Sequence, residues 1–152
     1  ETAGLPLAER FLQRLTSEVK LTAYALNLVQ LHMKPNTVAH ANSAPKTTTK
    51  LFDQSVDPEG LICLALADDR GRILAEPAAS TEDFLYARLS LFRELMAKPY
   101  VMGRDLIDAG LKPGADFTQI LEYAHKLRLA GIDKENALKQ TMGYARNLNK
   151  QT

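Results

Sequence analysis

The sequence predicts an all-α protein, a helical bundle followed by a small helical tail. Apolar residues recur with the 3.6-residue period of a helix face. Leu85, Leu89, Phe92, Leu95 and Met96 form one stripe, Phe117, Ile120, Leu121, Ala124 and Leu127 a second, and Leu138, Met142 and Ala145 a third. Helix-opening residues stand where such helices would begin, and the strict apolar–polar alternation of a half-buried strand is missing.

Taken in order, helices are expected near 4–15, 17–33, 44–54, 58–69, 81–97, 103–109, 115–129 and 134–148. Thr16-Ser17-Glu18 opens a long apolar helix that ends near His32. Asp57-Pro58-Glu59 supplies a capping acid, a proline at the first helical position and an acid in the first turn. Thr81-Glu82-Asp83 and Asp133-Lys134-Glu135 are similar openings. The run Leu61 to Ala67, LICLALA, is the one candidate strand, and its proline-capped entrance argues for helix instead. Residues 32–50 read as irregular, because Pro35, Asn36, Asn42 and Pro45 interrupt any long helix. Gly110-Leu-Lys-Pro-Gly114 reads as a hinge, and a boundary near Lys98-Pro99 divides a bundle, 1–97, from a tail, 98–152.

Composition narrows the class. The chain has 152 residues, 45% hydrophobic and 24% charged, which is globular rather than disordered. Its net charge of +1 excludes a generally cationic nucleic-acid binder. The balance is uneven: residues 1–97 carry 10 Lys/Arg against 12 Asp/Glu, residues 98–152 carry 9 against 6, so the tail is mildly basic. Cys63 is the single cysteine, which excludes an internal disulfide and a cysteine zinc site. It reads as a core residue of a cytoplasmic protein. No stretch has the ~20 apolar residues of a membrane span, and the N-terminus lacks a signal-peptide pattern. A start at Glu1 rather than Met reads as a piece of a longer protein.

Few residues point to chemistry. Leu66 to Arg72, LADDRGR, ends the apolar run in two carboxylates, a glycine and two arginines. Gly71 is expected as a helix cap with positive φ. Arg70 and Arg72 can complement the helix end, pair with Asp68 and Asp69, or meet a phosphate. His32 and Asp68 each close a helix and are candidate metal ligands, but two fall short of the three or four a stable site takes. Gly110 to Gly114 suggests a helix-hairpin-helix, although that motif spaces its glycines two apart and here they are four apart. Tyr100, Tyr123 and Tyr144 among Lys126, Arg128 and Arg146 make a basic-aromatic mixture suited to RNA and equally to any surface.

The segment Gly103-Arg-Asp-Leu-Ile-Asp-Ala-Gly-Leu-Lys-Pro-Gly114, followed by Ile120-Leu121, resembles the pattern G-x-D-L-I-x-x-G-x-x-P-G…I-L of bacterial CCA-adding enzymes (tRNA nucleotidyltransferases) and their poly(A) polymerase relatives. LADDRGR is similar to the A-D-x-R-G-R segment of members that carry an HD domain, with Asp69 replacing a small residue. LTAYALNLVQLHMKP and TKLFDQSVDPEGLICLALADDRGR extend the likeness over nearly the whole chain. ETAGLPLAERFL looks like sequence that follows a Gly-His-Glu in those proteins.

The resemblance implies a C-terminal piece: a partial HD-like body and a tRNA-holding tail, without the head that transfers CMP and AMP using Mg²⁺. No cofactor is implied for this chain itself. Asp68 matches the later HD aspartate and His32 a downstream histidine, both remnants once the upstream His-Asp pair is missing. Tail contacts to tRNA are expected at Arg104, Lys112, Lys126 and Arg128, with Arg70 and Arg72 near a former phosphate approach. Two other readings stand beside this one. An HD-type metal phosphohydrolase of 2′,3′-cyclic or terminal phosphates needs the missing pair. A structural module would position the head or form a homodimer.

Overall fold

A computed structural model describes residues 4–71 and 79–148. Nine helices and no strand occur among them: α1 Gly4–Leu15, α2 Val19–Leu31, α3 Lys34–His40, α4 Pro45–Gln54, α5 Pro58–Arg70, α6 Ala79–Ala97, α7 Gly103–Asp108, α8 Phe117–Leu129 and α9 Lys134–Leu148. The chain divides into two compact units, Glu1–Leu91 and Phe92–Thr152. The division falls inside α6, upstream of the Lys98-Pro99 boundary drawn from sequence.

The main departure from the expected elements is α3, which occupies part of the stretch read as irregular. Proline in a helix interior removes a hydrogen bond, but in the first turn its missing N–H has no partner to lose and its fixed φ suits the helix. Pro35, Pro45 and Pro58 all stand in the first turn, so three successive helices open on proline. Asn42, at φ 43°, makes the turn that ends α3, with its N–H on the carbonyl of Ala39.

The first unit packs α1 on α2, and α3 on α4 and α5. Leu31, Leu51 and Leu61 form a buried cluster flanked by Leu28 and Val38, and Phe52 and Ile62 are also fully enclosed. Buried Asn36 donates from Nδ2 to the carbonyl of Ala65 at 2.9 Å, tying α3 to α5. Asn27 of α2 clasps the α4–α5 turn from both sides: its Nδ2 donates to Gln54 O at 2.9 Å, and its Oδ1 accepts from Val56 N at 3.0 Å. Asp57 caps α5 as expected, accepting from Gly60 N at 2.9 Å and from Tyr24 Oη at 3.0 Å. That second bond pushes the Tyr24 phenol above its ordinary pKa.

Two expectations about α5 are corrected. Its buried face is Leu61, Ile62, Ala65, Leu66 and Asp69, so Cys63 falls on the outer face and is exposed, its Sγ 3.7 Å from Tyr86 Oη. An apolar run longer than one helical face must expose part of itself. Gly71 follows the helix at φ −75°, in the right-handed region, with its N–H reaching back to Ala67 O; no left-handed cap is formed.

The second unit joins the end of α6 to α7, α8 and α9 around Val101, Leu106, Ile120, Ala124, Ala137 and Ala145. The α8 stripe behaves as expected, with Phe117, Leu121 and Leu127 partly buried around its two core residues. On α9 the buried line is Ala137, Thr141 and Ala145, and the larger Leu138 and Met142 flank it. Small residues at the centre of that face let α9 approach α8 closely. Asp133 caps α9, accepting from Asn136 N at 3.0 Å, and this bond holds its carboxyl below the usual range.

Candidate nucleic-acid interface

The tail motif is built from turns before it is built from charge. Gly103 opens α7 against Phe117, where a Cβ would sit 3.2 Å from the ring. Gly110 ends α7 at φ +93°, a conformation that side chains disfavour. The N–H of Leu111 then returns to Leu106 O at 2.9 Å, closing the turn. Asp105 receives Met102 N at 2.7 Å and pairs with Lys134 Nζ at 2.7 Å, so α9 is held to the start of α7. The lysine first, and then the backbone donor, hold the Asp105 carboxyl below its ordinary range.

Arg104, Lys112 and Lys126 are exposed, and none has an ion-pair partner among the described residues. Lys112 lies on the turn before α8, beside a cavity of about 390 Å³ that also touches Gly110, Gly114 and Phe117. Asp116 lines the same cavity, so its carboxylate offsets the lysine there. α8 begins without a side-chain cap, and the N–H of Phe117, its first residue, donates to Gly114 O at 3.1 Å.

Arg128 stands apart from these three. Its guanidinium lies 3.9 Å from the centroid of the Tyr100 ring, and Nη2 donates to the carbonyl of Met96. Its Nε is buried with no hydrogen-bond partner. The side chain therefore fastens the end of α6 and the following segment onto α8. The tyrosines are similarly engaged: Tyr123 and Tyr144 stack at 4.3 Å between centroids, and Gln119 Nε2 donates to Tyr144 Oη at 2.7 Å. The basic-aromatic mixture in the tail thus belongs partly to packing.

In the first unit, Arg70 pairs with Glu82 at 2.6 Å and remains 64% exposed. Glu82 is thus a partner of Arg70 that the local sequence does not suggest. Arg72 lies outside the described residues. Asp68 is exposed, whereas its neighbour Asp69 is buried. His32 closes α2 with Nδ1 2.7 Å from Val29 O, a contact that suits an Nδ1–H donor. No group of three or more His, Cys, Asp or Glu side chains comes together among the described residues, so His32 and Asp68 do not make a metal site by themselves. No helix among those residues is long and apolar enough to cross a membrane.

Sequence reasoning missed a second basic site. Lys34, Lys46 and Lys50 line a cavity of about 570 Å³ between α3 and α4. The i, i+4 spacing of Lys46 and Lys50 was available as a signal, but Lys34 joins them only once α3 is seen to be a helix.

Comparison with protein-family profiles, with curated proteins and with solved structures finds no match to this chain.

Proposed function

We propose that this chain is an RNA-supporting helical module, the body and tail of a tRNA nucleotidyltransferase of the CCA-adding type, without the nucleotidyl-transfer site. The observation that carries the reading is the second unit: a basic tail in which Arg104, Lys112 and Lys126 are exposed, with no ion-pair partner among the described residues, on a packed α7–turn–α8 frame. Such cations meet phosphate, position a nucleic acid and carry no base code. Recognition would therefore be of tRNA shape. Gly110 serves the turn and Gly103 the contact with Phe117, so the motif's likeness to the CCA-adding pattern speaks for the frame, and the RNA reading rests on charge. Arg128 acts within that frame.

The test is affinity for a full tRNA and for an acceptor-stem minihelix at several salt concentrations. Tighter binding to the full tRNA, a steep loss in salt, and a further loss in Lys112→Ala or Lys126→Ala support the reading. No binding to either RNA at low salt refutes it, and CMP or AMP addition by the chain alone refutes the lack of chemistry.

A second reading is favoured by a different observation. α1 has no buried residue, and α2 is apolar almost all round yet buries only Leu31. A helix apolar on every side is normally enclosed. This hairpin is the surface on which the chain would form a homodimer.

A further inference from the structure

We propose that the cavity between α3 and α4 binds a small polyphosphate-bearing molecule of nucleotide size, its phosphates held by Lys34, Lys46 and Lys50. The site lies in the first unit and is independent of the RNA reading of the tail. At about 570 Å³ the cavity has the volume of a small-molecule site.

Its charge is of one sign. Three lysines line it and no carboxylate does. None of the three has an ion-pair partner among the described residues. Lys46 and Lys50 stand four apart on α4, where like charges repel one another. A multivalent anion seated between them would relieve that repulsion. Lysine is a point-charge phosphate binder, and three ammonium groups match the charge of two or three linked phosphates better than that of one.

The rest of the lining divides by role. α4 opens on Ala44 and Pro45 with no side-chain cap, so its positive end adds to the field of Lys46. Thr47 is exposed and has a hydroxyl to donate. Thr37 donates to Met33 O at 3.0 Å and serves as wall. Val38 and Leu51 belong to the buried cluster beneath, and they give the cavity a fixed apolar floor. Phosphate-binding cations above an apolar floor describe a seat for a nucleoside di- or triphosphate.

The experiment is calorimetric titration of the full chain with ADP and with inorganic tripolyphosphate, repeated on Lys46→Gln/Lys50→Gln. Lys20→Gln, on α2, is the control for diffuse charge. Binding that weakens about tenfold or more in the double variant, with Lys20→Gln unchanged and the same helical circular dichroism throughout, is the expected result. ADP binding tighter than tripolyphosphate identifies a nucleotide; the reverse identifies a free polyphosphate; either supports the site. No binding of either probe, or an equal loss in the control, overturns it. An RNA minihelix that binds through Lys46 and Lys50 while neither small probe binds also overturns it, and assigns the lysines to backbone contact.

Discussion

Arg128 covers the face of Tyr100 at 3.9 Å and at the same time donates to the carbonyl of Met96. One side chain from the middle of the tail thus fixes the segment that follows α6. A guanidinium is planar and forked, so it can stack and donate together, which an ammonium cannot do. Arg128→Lys is expected to lower stability by about 1–2 kcal/mol, and Arg128→Ala by more, because the carbonyl then loses its donor. Thermal denaturation read by circular dichroism checks this. Lys126→Ala in the same experiment should leave the melting temperature within error, and an equal drop in both would contradict the distinction drawn between them.

The contrast between these neighbours shows what the sequence could and could not reveal. Helices α5, α6, α8 and α9 are legible because period and caps are local properties of the chain. α3 is not, since Pro35 reads as a breaker until its place in the first turn is known. Cys63 departs from its expected place in the core for a related reason: a run of apolar residues does not say which of them face inward. Arg128 and Lys126 look alike in sequence, and only the position of Tyr100 and Met96 separates a packing residue from an exposed one. Lys34, Lys46 and Lys50 are brought together by the α3–α4 corner, which no local pattern encodes.

Asp105 links the start of α7 to Lys134 of α9, and its carboxyl is held below the ordinary range by that lysine and by Met102 N. A carboxylate with a depressed folded-state pKa contributes stability above its unfolded pKa, and loses it as the pH falls through the folded value. Asp105→Asn should therefore be less stable than the parent at neutral pH, and the gap should close under acid. Urea denaturation of both proteins at a series of pH values tests this. A gap that is constant with pH would show that the ion pair is not its source.

Asn27 satisfies two backbone groups of the α4–α5 turn with a single side chain. Removing it leaves Gln54 O and Val56 N to water or to nothing. Asn27→Ala is expected to cost about 1–2 kcal/mol, and Asn27→Asp, which keeps the acceptor and loses the donor, an intermediate amount. Urea midpoints for the three proteins give the order. An Asn27→Asp variant as stable as the parent would show that the Gln54 contact contributes nothing.

The α1–α2 hairpin leads to a prediction about assembly. Leu7, Phe11 and Leu15 lie four residues apart along α1 and are 67%, 59% and 67% exposed, so they make an unbroken apolar stripe. On α2, Val19 and Leu21 are also exposed, at 79% and 47%. The α1 stripe alone presents on the order of 400 Å² of apolar surface, as much as the largest patch of an ordinary monomer. A second hairpin placed across it would complete a four-helix arrangement. The nearby charges, Glu9, Arg10, Arg14, Glu18 and Lys20, are of both signs, which suits a copy of the same surface better than an anionic bilayer. Sedimentation should therefore show a monomer–dimer equilibrium that shifts with concentration. Phe11→Glu, which keeps helix propensity and places a charge in the centre of the stripe, should hold the chain monomeric with unchanged helical content. A parent chain that stays monomeric at every concentration would dismiss the dimer.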